Sequence, residues 1–125
     1  MRLINFGIGE ISDRLSILAL KILHGTEAEK DVKHWRDEQN ALLSKITART
    51  LNGSWFERYT ELAAVNAVLW QGEDALREMR TEGGVGIFED AGHLGFRLQA
   101  LNDRRAELIE AINKEAGDFL GMEKL

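Results

Sequence analysis

The chain has 125 residues and a mass of 14.1 kDa, which fits one domain, 1–125, large enough to bury a core unaided. It has no cysteine, which excludes a disulfide framework and any thiolate metal site. A net charge of -5 with a pI near 5.2 speaks against a nucleic-acid binder relying on diffuse positive charge, and no apolar run approaches the ~20 residues of a membrane span.

Proline is absent, while Leu, Ala, Glu and Arg are abundant, which favours helices over sheets. Glycines punctuate the chain into four helical stretches. The first is predicted from near Gly7 or Gly9 to just before Gly25, with Gly25 in the left-handed C-terminal position. Ile8, Ile11, Leu15, Leu18 and Ile22 form one stripe, and Ile17, Leu20 and Leu23 widen it almost all round. A helix apolar on most sides is a buried one, so this is the expected central helix. Its polar strip is Glu10, Arg14 and Lys21, with Asp13 beside it.

Thr26 and Glu29 match a capping box for the second helix, whose inward set reads Ala28, Val32, Trp35, Leu42 and Ile46. Asn52-Gly53 ends it, and Ser54 with Glu57 matches a second capping box that starts the third helix at once. That helix is expected to reach Met79 or Arg80. The run from Glu82 to Gly86 reads as a flexible connector, lacking the Lys-Ser/Thr ending of a phosphate loop. A fourth helix is expected from Phe88 to Ala116, with Gly92 and Gly95 permitting close approach of another helix. Gly117 to Leu125 reads as a short irregular tail, with Phe119, Leu120 and Met122 able to dock. The fold class is all-α: an up-and-down bundle of about four helices with a buried first helix.

Two of these helices place polar groups on their inward stripes. The third reads Tyr59, Leu62, Asn66, Leu69, Glu73, Leu76, and the fourth reads Leu94, Leu98, Leu101, Arg105, Leu108, Ile112. Burying a charge is costly unless it is paired. In one reading Glu73 faces Arg105 across the bundle, with amides from Asn66 and Asn102, as a self-satisfying network that fixes helix register. In the other, the same residues line a pocket where Arg105, with Arg14 or Lys21, receives an anionic ligand. The candidate ligand-binding set is Glu10, Asp13, Arg14, Asn66, Trp70, Glu73, Arg77, Asn102 and Arg105. Glu73 and Arg77 are also spaced for a surface ion pair.

Glu10, Asp13, Glu73 and Asp74 are a candidate Mg²⁺ set, since that hard cation takes carboxylates. Glu10-x-x-Asp13 resembles half the signature of all-α nucleotide pyrophosphohydrolases, but no convincing E-x-x-E partner helix accompanies it. None of His24, His34 and His93 belongs to an E-x-x-H pair, which disfavours a di-iron site. His24 sits where it interacts favourably with the C-terminus of the first helix. Ser12 and Ser16 have no plausible His and carboxylate partners for nucleophilic chemistry. Trp70, beside inward Leu69, reads as core ahead of a stacking platform.

Gly9-Glu10-Ile11-Ser12-Asp13-Arg14-Leu15-Ser16-Ile17-Leu18, with Lys21 following, resembles the opening G-E-x-x-D-K/R-x-S/T-I-L-x-x-K of an uncharacterised family of small bacterial all-helical proteins, a domain of unknown function. That family's V-N-x-x-L-W-x-x-E-D-x-x-R matches Val65, Asn66, Leu69, Trp70, Glu73, Asp74 and Arg77. Its N-D-x-R-A matches Asn102, Asp103, Arg105 and Ala106, and its I-x-x-I-N matches Ile109, Ile112 and Asn113. A second uncharacterised family shares the LW-x-x-ED and LN-x-x-R elements. The likeness spans nearly the whole chain apart from the second helix. It departs at Gly72, where a bulkier residue is expected, and in the tail, where only Met122-Glu123-Lys124 is reminiscent of an E-E-K ending. It implies an all-α cytoplasmic protein and no particular activity.

Two functions follow as expectations. The first is a non-catalytic interaction or scaffold protein, a homo-oligomer associating through the second helix or the Gly92/Gly95 face, with no cofactor. The alternative is an enzyme or binder of a phosphorylated or otherwise anionic small molecule, Mg-dependent where the carboxylate set holds the ion. A helical mutase holding a dicarboxylate ranks behind both. No nucleic acid and no membrane is expected as partner. The opening Met1-Arg2-Leu3-Ile4-Asn5-Phe6 is too short and too quickly charged for a signal peptide, so the expected location is cytoplasmic.

Overall fold

The computed structural model describes residues 7–47, 49, 51–82 and 85–117, with backbone alone at 82 and 85–88. Four helices follow in order: α1 (Ile8–Glu27), α2 (Lys33–Thr47), α3 (Gly53–Glu82) and α4 (Val85–Ala116). There is no strand among the described residues, and no helix is long and apolar enough to cross a membrane. α1 packs against all three other helices, whereas α2 packs on α1. α3 and α4 form a long hairpin. Cross-helix contacts give the directions. Arg14 meets Glu38 and Gly25 meets Trp35, so α2 runs against α1. Ser12 meets Trp55 and His24 meets Trp70, so α3 runs with α1. Gly9 meets Asn113 and Asp13 meets Arg105, so α4 runs back. The result is an up-and-down bundle built round α1.

The stripe read from the sequence is the core. Ile8, Ile11, Leu15, Leu18 and Ile22 of α1 are buried with Leu42 and Ile46 of α2, Leu62, Val65 and Leu69 of α3, and Leu98, Leu108 and Ile112 of α4. Removing such surface from water stabilises a fold by about 25 cal/mol per Å².

The helix ends differ from the sequence reading. α1 does not stop before Gly25 but continues to Glu27 and closes with a Schellman motif. The Lys30 N–H donates to the Gly25 carbonyl at 2.8 Å and the Glu29 N–H to the Thr26 carbonyl at 3.0 Å. The left-handed residue is Glu29, with φ 58°, so Thr26 and Glu29 cannot cap α2. Gly25 is instead required by packing, since a Cβ there would lie 2.7 Å from Trp35 and from Val32. Ala28, assigned to the inward face of the second helix, is exposed and lies outside it. The Asp31 side chain accepts the Lys33 N–H at 3.0 Å at the start of α2.

α3 is capped by Asn52, whose side chain accepts the Trp55 N–H at 3.0 Å, not by Ser54 and Glu57. Ser54 donates to Glu115 of α4. α4 begins at Val85, earlier than Phe88, so Val85 and Gly86 are helical, while the expected connector at 83–84 lies outside the described residues. Gly117, with φ +81°, ends α4, and the expected tail from 118 onward also lies outside them. Among the described residues, nothing lies within 4 Å of where a Cβ would stand at Gly92 or Gly95. The close α3–α4 approach occurs at Gly72, where a Cβ would collide with Leu98. The bulkier residue expected at 72 from the family pattern does not fit this packing.

Candidate functional site

Three helices converge on one carboxylate. Asp13 of α1 has its side chain only a tenth exposed, flanked by buried Ser12 and Ser16. Arg105 of α4 grips it in a fork, with Nε donating to Oδ1 at 2.8 Å and Nη2 to Oδ2 at 2.6 Å. The Asn66 amide of α3 donates from Nδ2 to Asp13 Oδ1 at 2.9 Å and to Ser16 Oγ at 2.6 Å. The Ser16 hydroxyl itself donates to the Asp13 backbone carbonyl at 2.7 Å. Bidentate, charge-assisted bonds of this kind are the strong ones. The Asp13 carboxylate, foremost through its hydrogen bond, raises the pKa of the Arg105 guanidinium above its ordinary range, against the opposing effect of burial.

A second polar joint lies two turns of α4 further along. The Asn113 side chain accepts the Gly9 N–H at 2.7 Å and donates to both oxygens of Glu10, at 2.8 and 2.7 Å. Glu10 in turn accepts the Gly7 N–H at 3.2 Å. Free N–H groups at a helix start need acceptors, and α4 supplies one of them. Gly9 is what lets α4 come this close, since a Cβ there would strike the Ile109 carbonyl oxygen. Above it, Trp55 Nε1 donates to Ser12 Oγ at 3.0 Å. Among the described residues no buried side-chain nitrogen or oxygen lacks a hydrogen-bond partner.

The expected set is thus only partly assembled. Asp13, Asn66 and Arg105 meet in the interior. Glu10 is at the Asn113 joint. Arg14 is turned to α2 and grips Glu38 with bonds of 2.7 and 2.9 Å, which holds the Glu38 carboxyl below the usual range. Lys21 lies 5.9 Å above the Trp35 ring. Trp70 is half-buried and stacks on the exposed His24 ring at 4.9 Å and 7°. Asn102 is half-buried and makes no hydrogen bond to the Asp13 network.

Glu73 is the main correction. It is exposed and does not face Arg105, whose partner is Asp13. The cause is helix length. His24 already stacks on Trp70, and α1 ends three residues later at Glu27, so the α3 stripe runs out of cover at Glu73. Arg77 pairs with Asp74, not with Glu73. Glu10, Asp13, Glu73 and Asp74 are therefore not brought together, and among the described residues no group of three or more His, Asp or Glu is placed to hold a metal ion.

The sequence reading missed Asn113, Ser12, Ser16 and Trp55 as members of this interior. Asn113 carried a signal: it follows Ile112 at the end of the inward seam of α4. The serines carried one too, as small polar residues set among the apolar residues of the central helix. The four motif segments each contribute to the two joints: Glu10 and Asp13, then Asn66, then Arg105, then Asn113. No protein-family model, curated protein or solved structure matches the chain.

Proposed function

We propose that this chain is a non-catalytic helical interaction protein that associates with further copies of itself, and that its interior polar residues fix helix register. The observation that carries the reading is the completeness of the Asp13–Asn66–Arg105 lock. Both carboxylate oxygens and the Nε–Nη2 edge of the guanidinium are spent on one another, and Asn66 adds a third donor to the carboxylate. An anion taking that bidentate edge of Arg105 would have to displace Asp13 and leave its carboxylate desolvated, which is costly. In this reading the family-like motifs mark packing positions, and membership of that uncharacterised bacterial family and a cytoplasmic location belong to the same proposal.

Self-association draws support from apolar surface left outside the bundle. Phe96 is 82% exposed, Phe56 60% and Leu23 54%. Size-exclusion chromatography with light scattering across a hundredfold range of concentration tests the reading. The expected result is a mass that rises above 14.1 kDa with concentration. A constant monomer mass at the highest concentration rejects it.

A further inference from the structure

Phe96 stands out from the other exposed apolar residues by its degree of exposure. At 100° per residue it lies roughly opposite Leu98, which packs toward Gly72 of α3, so its ring points away from the bundle. Gly92 and Gly95 flank it with open space, leaving the ring as a projecting knob. Glu89 and Asp103 lie two turns to either side on the same face, so the knob is bracketed by carboxylates.

A matching hollow lies elsewhere. Ala19, Ile22, Leu23 and Thr26 of α1, with Arg36 and Gln39 of α2, line a mainly apolar groove of about 370 Å³. Arg36 is exposed at its rim, and its guanidinium has no side-chain partner among the described residues. The neighbouring cations Arg14 and Lys33 are paired with Glu38 and Asp37. An apolar hollow beside an unpaired guanidinium fits an aromatic side chain carried on an acidic helix.

We infer that the Phe96 face of one copy seats in the Ala19–Leu23–Arg36 groove of another, with Arg36 receiving Glu89 or Asp103. The inference deepens the self-association reading above and rests on it. Knob and groove are different surfaces, so the contact is head-to-tail: it closes into a ring or propagates as a chain. Aromatic anchors in apolar pockets with charged rims dominate the energetics of such contacts.

Sedimentation velocity on the full chain and three exposed-site variants tests it. Phe96→Asp removes the knob, Ala19→Arg fills the groove, and Arg36→Glu reverses the rim. Thermal melts at a concentration where the parent is monomeric should match it, because all three positions are exposed. Phe96→Asp and Ala19→Arg are each expected to weaken association by more than about thirtyfold. Arg36→Glu is expected to weaken it about fivefold. An equimolar mixture of Phe96→Asp and Ala19→Arg keeps one good knob and one good groove, so it forms a 1:1 dimer and nothing larger. If the parent associates and Phe96→Asp associates equally well, this inference is overturned while the self-association reading stands. If both single variants are monomeric and their mixture stays monomeric, the head-to-tail geometry is overturned. A parent chain that is monomeric throughout removes both.

Discussion

The two ends of the α3–α4 hairpin carry the same pattern of apolar residues at spacings of three and four, yet only one end has a buried interior. Toward the chain termini, where α1 lies across both helices, Leu62, Asn66, Leu108 and Ile112 are buried. Toward the hairpin tip, none of the described residues between Leu69 and Leu98 is buried, and Leu76 and Leu94 are only half-covered. Asn66 and Glu73 lie two turns apart on one stripe and meet opposite fates. A seam is buried by the helix that covers it, not by its own periodicity. The polar groups follow the same rule: Asn66 and Arg105 find a carboxylate on α1, and Glu73 finds water.

The largest effect that sharpens this contrast is expected from Arg105→Met. It leaves Asp13 buried with only the Asn66 amide, and breaking such a pair costs about 3 kcal/mol, the low end of the range because Arg105 itself reaches solvent. Glu73→Gln in the uncovered half should change stability by less than about 0.5 kcal/mol. Urea denaturation of both variants checks the pair. Equal effects would erase the distinction between the two ends.

Glycines divide in the same way. Gly9→Ala drives a methyl group into a backbone carbonyl of α4, which cannot rotate aside, and should cost about 2 kcal/mol or more. Gly92→Ala meets open space in the uncovered half and should stabilise the chain by about 0.5–1 kcal/mol through helix propensity and a less free unfolded state. Thermal melts that moved both midpoints in one direction would contradict the account. Glu29→Gly, at the left-handed closure of α1, should likewise stabilise by about 1 kcal/mol.

The smallest effect concerns acid. Arg14, foremost through its hydrogen bond, holds the Glu38 carboxyl below its ordinary value of 4.5. A carboxyl with a depressed folded pKa contributes stability that is complete above its unfolded pKa and disappears as pH falls through the folded one. The parent should therefore lose more stability between pH 5 and the folded value than Glu38→Gln does, by less than about 1 kcal/mol since the pair is partly exposed. Identical acid profiles would show that the pair contributes nothing.

Periodicity made the four helices, the buried α1 and the inward positions of Asn66 and Arg105 legible in the sequence. It did not reveal the partner of Arg105. Spacing fixes the face of a helix on which a residue sits, but not where the opposing helix ends, so it pointed Arg105 to Glu73 and not to Asp13. Asp13 read as the margin of a polar strip because Arg14 and Glu10 adjoin it. Only the three-helix junction shows that Ser12, Asp13 and Ser16 turn inward together. The caps misled for a related reason. Thr26 and Glu29 have the spacing of a capping box, but the Glu29 and Lys30 N–H groups turn back onto the Thr26 and Gly25 carbonyls, so α1 closes through Glu29 itself.

A double-mutant cycle between Asp13 and Arg105 tests the central claim most directly, with the Glu73 and Arg105 cycle measured beside it. The account predicts a coupling of about 1–3 kcal/mol for Asp13 with Arg105 and none beyond about 0.3 kcal/mol for Glu73 with Arg105. Coupling that resided instead in the Glu73 pair, or in neither, would contradict a fold whose helix register is held by a carboxylate on its central helix.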